Sequence, residues 1–470
     1  MPHEYESPLA PEARARAAPS AVASASSTRD SQPERIIVAY FTLLPLLWAL
    51  GLLLPLAVLM VFGLLLRVRS RRAYWLAWPW FAVGICQLAS SAVNVVAAGQ
   101  PIIVVPRHAL ASYVLGWIML GACIAIGASG TVRPAALLRA TARVGFYCVG
   151  LAGVLYILAV AQGERYLHVL TPIGRLMPVT LPSTSFFFGM LLYNWEELFG
   201  VLLPRLSLLF PWTTAMGFGG LCLVWVTANQ PDPRKRRWAM ASGVFMVIAS
   251  MSRLAALALA LSAALRFALA LSRPVQVLLA AFALVLGAAV GLVGTLAEGS
   301  PLAAVKMLSE RFDNLRPSAT QSRDRVYEQT RAGLAEAPLA GHGWPGEPVY
   351  PKDYPQVMQG DGTMVPGSHS SYLGLVYLGG VMTLAAFLFA LLRTTWLVLR
   401  AAGPPALRLN TAVLLGVFAV TGIGEGLYSL VVPTLYAFLW LGAALRELTA
   451  GAPAPVPAAL APLRAWAPAT

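Results

Sequence analysis

Apolar and polar positions alternate along this chain in long blocks, not at the short periods of a soluble domain. Apolar runs cover about 36–66, 74–98, 108–129, 143–161, 206–229, 238–252, 254–272, 275–296, 371–392, 409–429 and 431–445. Crossing hydrocarbon takes roughly 20 such residues in an α-helix. The pattern predicts an all-α, polytopic integral membrane protein of 11 or 12 transmembrane helices. The run 36–66 is long for one span, and Gly51 and Pro55 are where it would fold into a hairpin, giving 12. Residues 238–252 and 254–272 read as two spans joined by a Met251-Ser252-Arg253 turn. Read as one helix, they would hold Arg253 at the membrane centre, at a cost of about 3 kcal/mol or more.

The polar blocks are of two kinds. Short basic clusters lie at 67–72, at Arg133, Arg139 and Arg143, at 234–237, at Arg266 and Arg273, at Arg393, Arg400 and Arg408, and at Arg446. Placing every one in the cytoplasm is a consistent topology under the positive-inside rule. The other blocks then face outward: 100–107, 164–205, the 251–253 turn, the region of Glu425, and a large loop at 297–369. The domain plan is a disordered tail at 1–35, helices at 36–296, a large periplasmic loop at 297–369, C-terminal helices at 370–446 and an Ala/Pro-rich tail at 447–470. Within 164–205 there is no clean span. The greasy stretch 186–193, interrupted by Pro182, Asn194, Glu196 and Glu197, reads as an amphipathic segment on the outer interface.

Composition narrows the class. With 58% hydrophobic and 11% charged residues, no soluble interior is large enough. The net charge of +14 is accounted for by the basic clusters, so nucleic acid is not a partner. Cys86, Cys123, Cys148 and Cys222 lie singly and away from metal spacing, which argues for packing roles over disulfides or zinc. No Walker lysine motif and no HExxH is present, and the outward loops carry no acidic pair at DxD spacing. Chemistry outside the membrane must therefore use a substrate already activated in the bilayer.

The candidate groups lie in the outward blocks. His369 stands at the exit of the loop, before a helix whose first turn holds Ser370, Ser371 and Tyr372. It can exchange protons near neutral pH, or merely cap the helix. Arg253 and Arg205 each begin a span and read either as interfacial anchors or as clamps for phosphate. The loop arginines 311, 316, 323, 325 and 331 partly follow a helix face, as a solvated helix would. Glu425 is an acid in an apolar stretch, a costly placement that often marks function. His342, Glu347, Asp353 and Asp361 complete the polar loop.

Three stretches together resemble the O-antigen ligase and Wzy-type polymerase superfamily, over about 205–445. They are Ser250-Met251-Ser252-Arg253; Arg323-Asp324-Arg325-Val326-Tyr327 with Pro338-Leu339-Ala340-Gly341-His342-Gly343; and His369-Ser370-Ser371-Tyr372-Leu373 with Gly379-Gly380. Ser370 replaces the usual Asn, and Trp212-Thr213 stands where a Pro-Asn pair is common, so no role is carried to those positions. The resemblance implies a C-type membrane glycosyltransferase-like fold in a bacterial inner membrane, with its active site facing the periplasm. It implies a glycan on undecaprenyl pyrophosphate as donor, transferred without metal. His369, Arg253 and Arg323 would be catalytic; Arg205, Arg325, Tyr372 and Glu425 would bind pyrophosphate or glycan. Polymerisation of repeat units is the preferred reading and ligation to lipid A-core the alternative. The expected partners are the lipid-linked glycan, the bilayer, and chain-length and export proteins. A flippase of lipid-linked saccharide is the reading from another class. It would show repeated halves and charges in mid-span, whereas the charges here gather at the outer face.

Overall fold

The computed structural model describes residues 31–99, 115–164, 166–176, 188–198, 201–271, 317–343 and 366–450, with 317–325 described by backbone alone. The chain is an all-α polytopic membrane protein. Among the described residues, Arg71–Ala97, Pro134–Gln162, Ser371–Arg400 and Pro405–Gly424 are long and apolar enough to cross a bilayer. A fifth candidate is the pair Gln32–Thr42 and Leu44–Leu50, bent by 62°. Leu53–Leu65 and Thr213–Thr227 are apolar but shorter. The predicted span 275–296 lies outside the described residues, as do Arg273, Arg311, Arg316, Glu347, Asp353 and Asp361.

Two helices form the centre. Thr213–Thr227 and Leu435–Thr449 are buried on nearly every side, the pattern of helices surrounded by others. Tyr436 joins them, its hydroxyl donating to the Gly219 carbonyl at 2.6 Å. Helix Met119–Ala128 packs so closely on Leu435–Thr449 that side chains at Gly127 or Gly442 would strike the opposing backbone. Such small-residue contacts let helices associate in membranes, where burial of apolar surface drives little.

The long run near the N-terminus is broken as its composition suggested, at Gly51, which takes φ 80°. Helix Leu53–Leu65 turns back, and Tyr40 donates to the Leu53 carbonyl at 3.1 Å. The first helix starts at Gln32, inside the predicted tail, because Ser31 caps it through the Glu34 amide. The last runs to Thr449, past the predicted start of the C-terminal tail.

The 164–205 region corrects the expectation of an interfacial amphipathic segment. Strands Tyr166–Leu170, Gly189–Leu198 and Val201–Leu206 form an antiparallel sheet in that order. Tyr193 sits on the middle strand, opposite Leu167 and Leu206. Pro204 is accommodated because its strand is at the sheet edge, where a missing N–H costs little.

Contacts divide the bundle into two poles. At one, Arg72 donates to the Thr449 carbonyl, Arg393 to the Trp75 carbonyl at 3.1 Å, and Arg67 to Gln32 at 2.9 Å. Arg266 donates to Asn410, which itself donates to Asn229. Arg133 pairs with Glu34. These links gather the basic clusters at one end. The opposite helix ends meet the sheet, where Tyr193 donates to Gln162 at 3.3 Å.

Candidate functional site

The site is built at the pole away from the basic clusters. Helix Pro233–Ala249 ends and helix Arg253–Ala268 begins across a turn of three residues. Met251 takes φ 48°, a left-handed conformation that ends the first helix. The Ser252 hydroxyl accepts from the Ala255 amide at 3.3 Å and caps the second helix. Arg253 is therefore the first residue of a helix and half-buried.

Arg205 reaches this turn from the edge strand. Its Nε donates to the Ser250 carbonyl at 2.7 Å, and a terminal nitrogen meets Glu196 of the middle strand at 3.1 Å. The side chain is only 7% exposed, so it needs both partners: a buried guanidinium without them would be strongly disfavoured. The sheet thus fixes the Ser250–Arg253 turn through one arginine. Glu196 had been read only as an interruption of a greasy run. Its signal in the sequence was an acid among apolar residues, nine positions before Arg205.

The next neighbour of the turn is the end of helix Pro405–Gly424. A side chain at Gly424 would touch Leu254, the residue after Arg253. Glu425 follows, buried at 4% exposure. Its carbonyl accepts from the Ser371 hydroxyl at 2.8 Å, and the Ser371 Oγ in turn accepts from the Leu427 amide at 2.8 Å. Ser371 thereby joins the Glu425 corner to the start of helix Ser371–Arg400. Tyr372 donates to the Ala419 carbonyl at 2.9 Å, which ties the same two helices together.

His369 precedes this start by two residues and takes φ 61°. The helix cap is Ser370, whose hydroxyl accepts from the Leu373 amide; His369 is not the capping residue. Its carbonyl accepts from the Tyr327 hydroxyl at 3.0 Å. Tyr327 belongs to the loop helix Pro317–Glu336. Position 323 lies four residues earlier, on the same helical face, and position 325 lies in the same turn.

The loop helix is held at its other end as well. Gly380 takes φ 71° and ψ −179°, which interrupts helix Ser371–Arg400. The Tyr377 and Leu378 carbonyls then accept from His342 and Gly343, at 2.7 and 2.9 Å, and Val381 donates to Pro338 at 3.0 Å. A Cβ at Gly380 would run into the Leu339 carbonyl, so only glycine suits the position. Ser90 and Asn94 donate to the Ala340 and Gly341 carbonyls. His342 stacks on Tyr377 and bonds the Gly333 carbonyl at 2.9 Å, which accounts for it as a structural residue.

A chain of direct contacts therefore runs from Arg205 through Ser250–Arg253, Leu254, Gly424–Glu425 and Ser371 to His369 and Tyr327. Segments far apart in sequence supply cations, an acid and an imidazole to one end of the bundle. Guanidinium groups in a partly dehydrated site can stabilise phosphate charge. A histidine at the same end of the bundle can exchange a proton.

Residues 238–388, about a third of the chain, match a family model described as O-antigen ligase. The match makes this segment similar to that family. The O-antigen ligase-type segment contains the 250–253 turn, the loop helix, the inserted 338–343 turn and His369 through Gly380. Arg205 and Glu425 lie outside it and are joined to it by the contacts above. No curated protein matches the chain.

Proposed function

We propose that the protein transfers an oligosaccharide from undecaprenyl pyrophosphate to a glycan acceptor, at the bilayer face opposite its basic pole. By the positive-inside rule that face is the periplasmic side of an inner membrane. One observation carries the reading: the Arg253 turn, the Glu425 corner and the His369 turn meet at the end of the bundle remote from the basic clusters.

In this reading His369 takes the proton of the acceptor hydroxyl as its oxygen attacks the anomeric carbon. The bond from that carbon to the pyrophosphate oxygen breaks, and undecaprenyl pyrophosphate departs with the bonding pair. Arg253 and Arg323 stabilise the charge on the leaving pyrophosphate without a metal ion, with Arg325 beside them on the loop helix. Arg205 acts through the turn it holds. Tyr372 and Glu425 line the start of the helix that follows His369. Polymerisation of repeat units is the first assignment. Ligation to lipid A-core is the second, favoured by the description of the matching family model.

The glycans of a deletion strain test all of this. Accumulated single lipid-linked repeats support polymerisation, and long unligated chains support ligation. Repeats retained on the inner leaflet would overturn transfer in favour of translocation. Chain-length and export proteins are the partners expected for the polymerase.

A further inference from the structure

We propose that Tyr327 is a positioning residue that sets the conformation of His369, and that the loop helix bearing it thereby controls transfer. The inference rests on the role proposed for His369.

A residue with a Cβ is disfavoured in the left-handed conformation that His369 adopts. Such a conformation persists only where its surroundings impose it. The following side is fixed by Ser370, which caps the next helix, and by Ser371, which is anchored to the Glu425 corner. The preceding side is fixed by the loop helix. Tyr327 donates to the His369 carbonyl at 3.0 Å. One turn later, the buried Thr330 hydroxyl accepts from the Gly367 amide at 2.9 Å and donates to Val326 at 2.6 Å. Both bonds reach the backbone of the 367–369 turn, so they act whatever side chain stands at 369. The direction of the imidazole follows from that backbone. Position 323 shares the helical face of Tyr327, so docking the loop helix brings a candidate pyrophosphate ligand and sets the candidate base in one event.

The test uses the full chain in lipid nanodiscs, with undecaprenyl-pyrophosphate-linked repeats extracted from a deletion strain as the probe. Tyr327→Phe keeps the ring and removes the donor. We expect kcat to fall about tenfold, KM to stay within twofold, and the unfolding temperature to stay at the parent value. Thr330→Val removes the other bond and is expected to give the same split, so it serves if the first variant does not accumulate. A parental kcat in either accumulated variant, or a loss confined to KM, overturns the proposal. His369→Ala separates the two readings. If it still transfers glycan, the role of His369 itself is wrong; if it is inactive while Tyr327→Phe is normal, only the positioning role fails.

Discussion

At residue scale, the site depends on a few side chains whose environments differ sharply. Replacing His369 by Ala should abolish glycan product while the protein remains in the membrane at its usual level; normal yield and length would remove the proton-transfer role. Arg253→Lys should recover little activity over Arg253→Ala, because an ammonium lacks the planar fork of a guanidinium. Full activity in the lysine variant would indicate an interfacial anchor. Arg205 is a different case. Its guanidinium bonds Ser250 and Glu196 within the protein. Arg205→Ala leaves Glu196 without its cation in a nearly dry setting, at a cost of about 3 kcal/mol. A lowered unfolding temperature, together with lost activity, is the expected signature. Individual residues were the most readable part of the sequence where a costly placement announced them. Arg253 and Glu425 stood out because charge in an apolar stretch is disfavoured. Thr330 did not, and Tyr327 entered only as the last residue of a family-like stretch, since an aromatic and a hydroxyl on a helix are ordinary until the segment they hold is known.

At the scale of elements, the split at 251–253 was legible because a continuous helix would have put Arg253 in hydrocarbon. The sheet was not. The stretch 186–193 is a short apolar run, and such runs suit a helix or a strand equally by periodicity. What decides it is pairing with 166–170 and 201–206, which is non-local. Leu198 pairs with Val201 at the close of that pairing. Gly379-Gly380 was recognised only as a motif; its physical reason is the entry of the 338–343 turn into a broken helix. Gly380→Ala should expel that turn. Faster proteolysis near 338–343 and a lower unfolding temperature would be the readings, whereas unchanged proteolysis would mean that the insertion adds nothing to stability.

For the whole molecule, the basic clusters were legible as a set, and the contacts at one pole bear that grouping out. Sidedness is measurable: single cysteines at Arg234 and at Leu170 should react with an impermeant reagent from opposite faces of oriented vesicles. Labelling of both from one face would break the topology. Chelation by EDTA should leave purified transfer activity intact, because the charge of the leaving group is assigned to arginines; loss restored by a divalent ion would place a metal in the reaction.

The interrupted helix also decides where this architecture can be cut and rejoined. The amides that complete the Tyr377 and Leu378 carbonyls come from residues more than thirty positions upstream. The first third of helix Ser371–Arg400 therefore belongs with the loop helix and the 338–343 turn, and the remainder with the bundle. A chimera that exchanges this unit between relatives should keep its own specificity and stability when the junction falls after Gly380. A junction at Ser371, the apparent start of the helix, would divide one hydrogen-bonded unit between two parents.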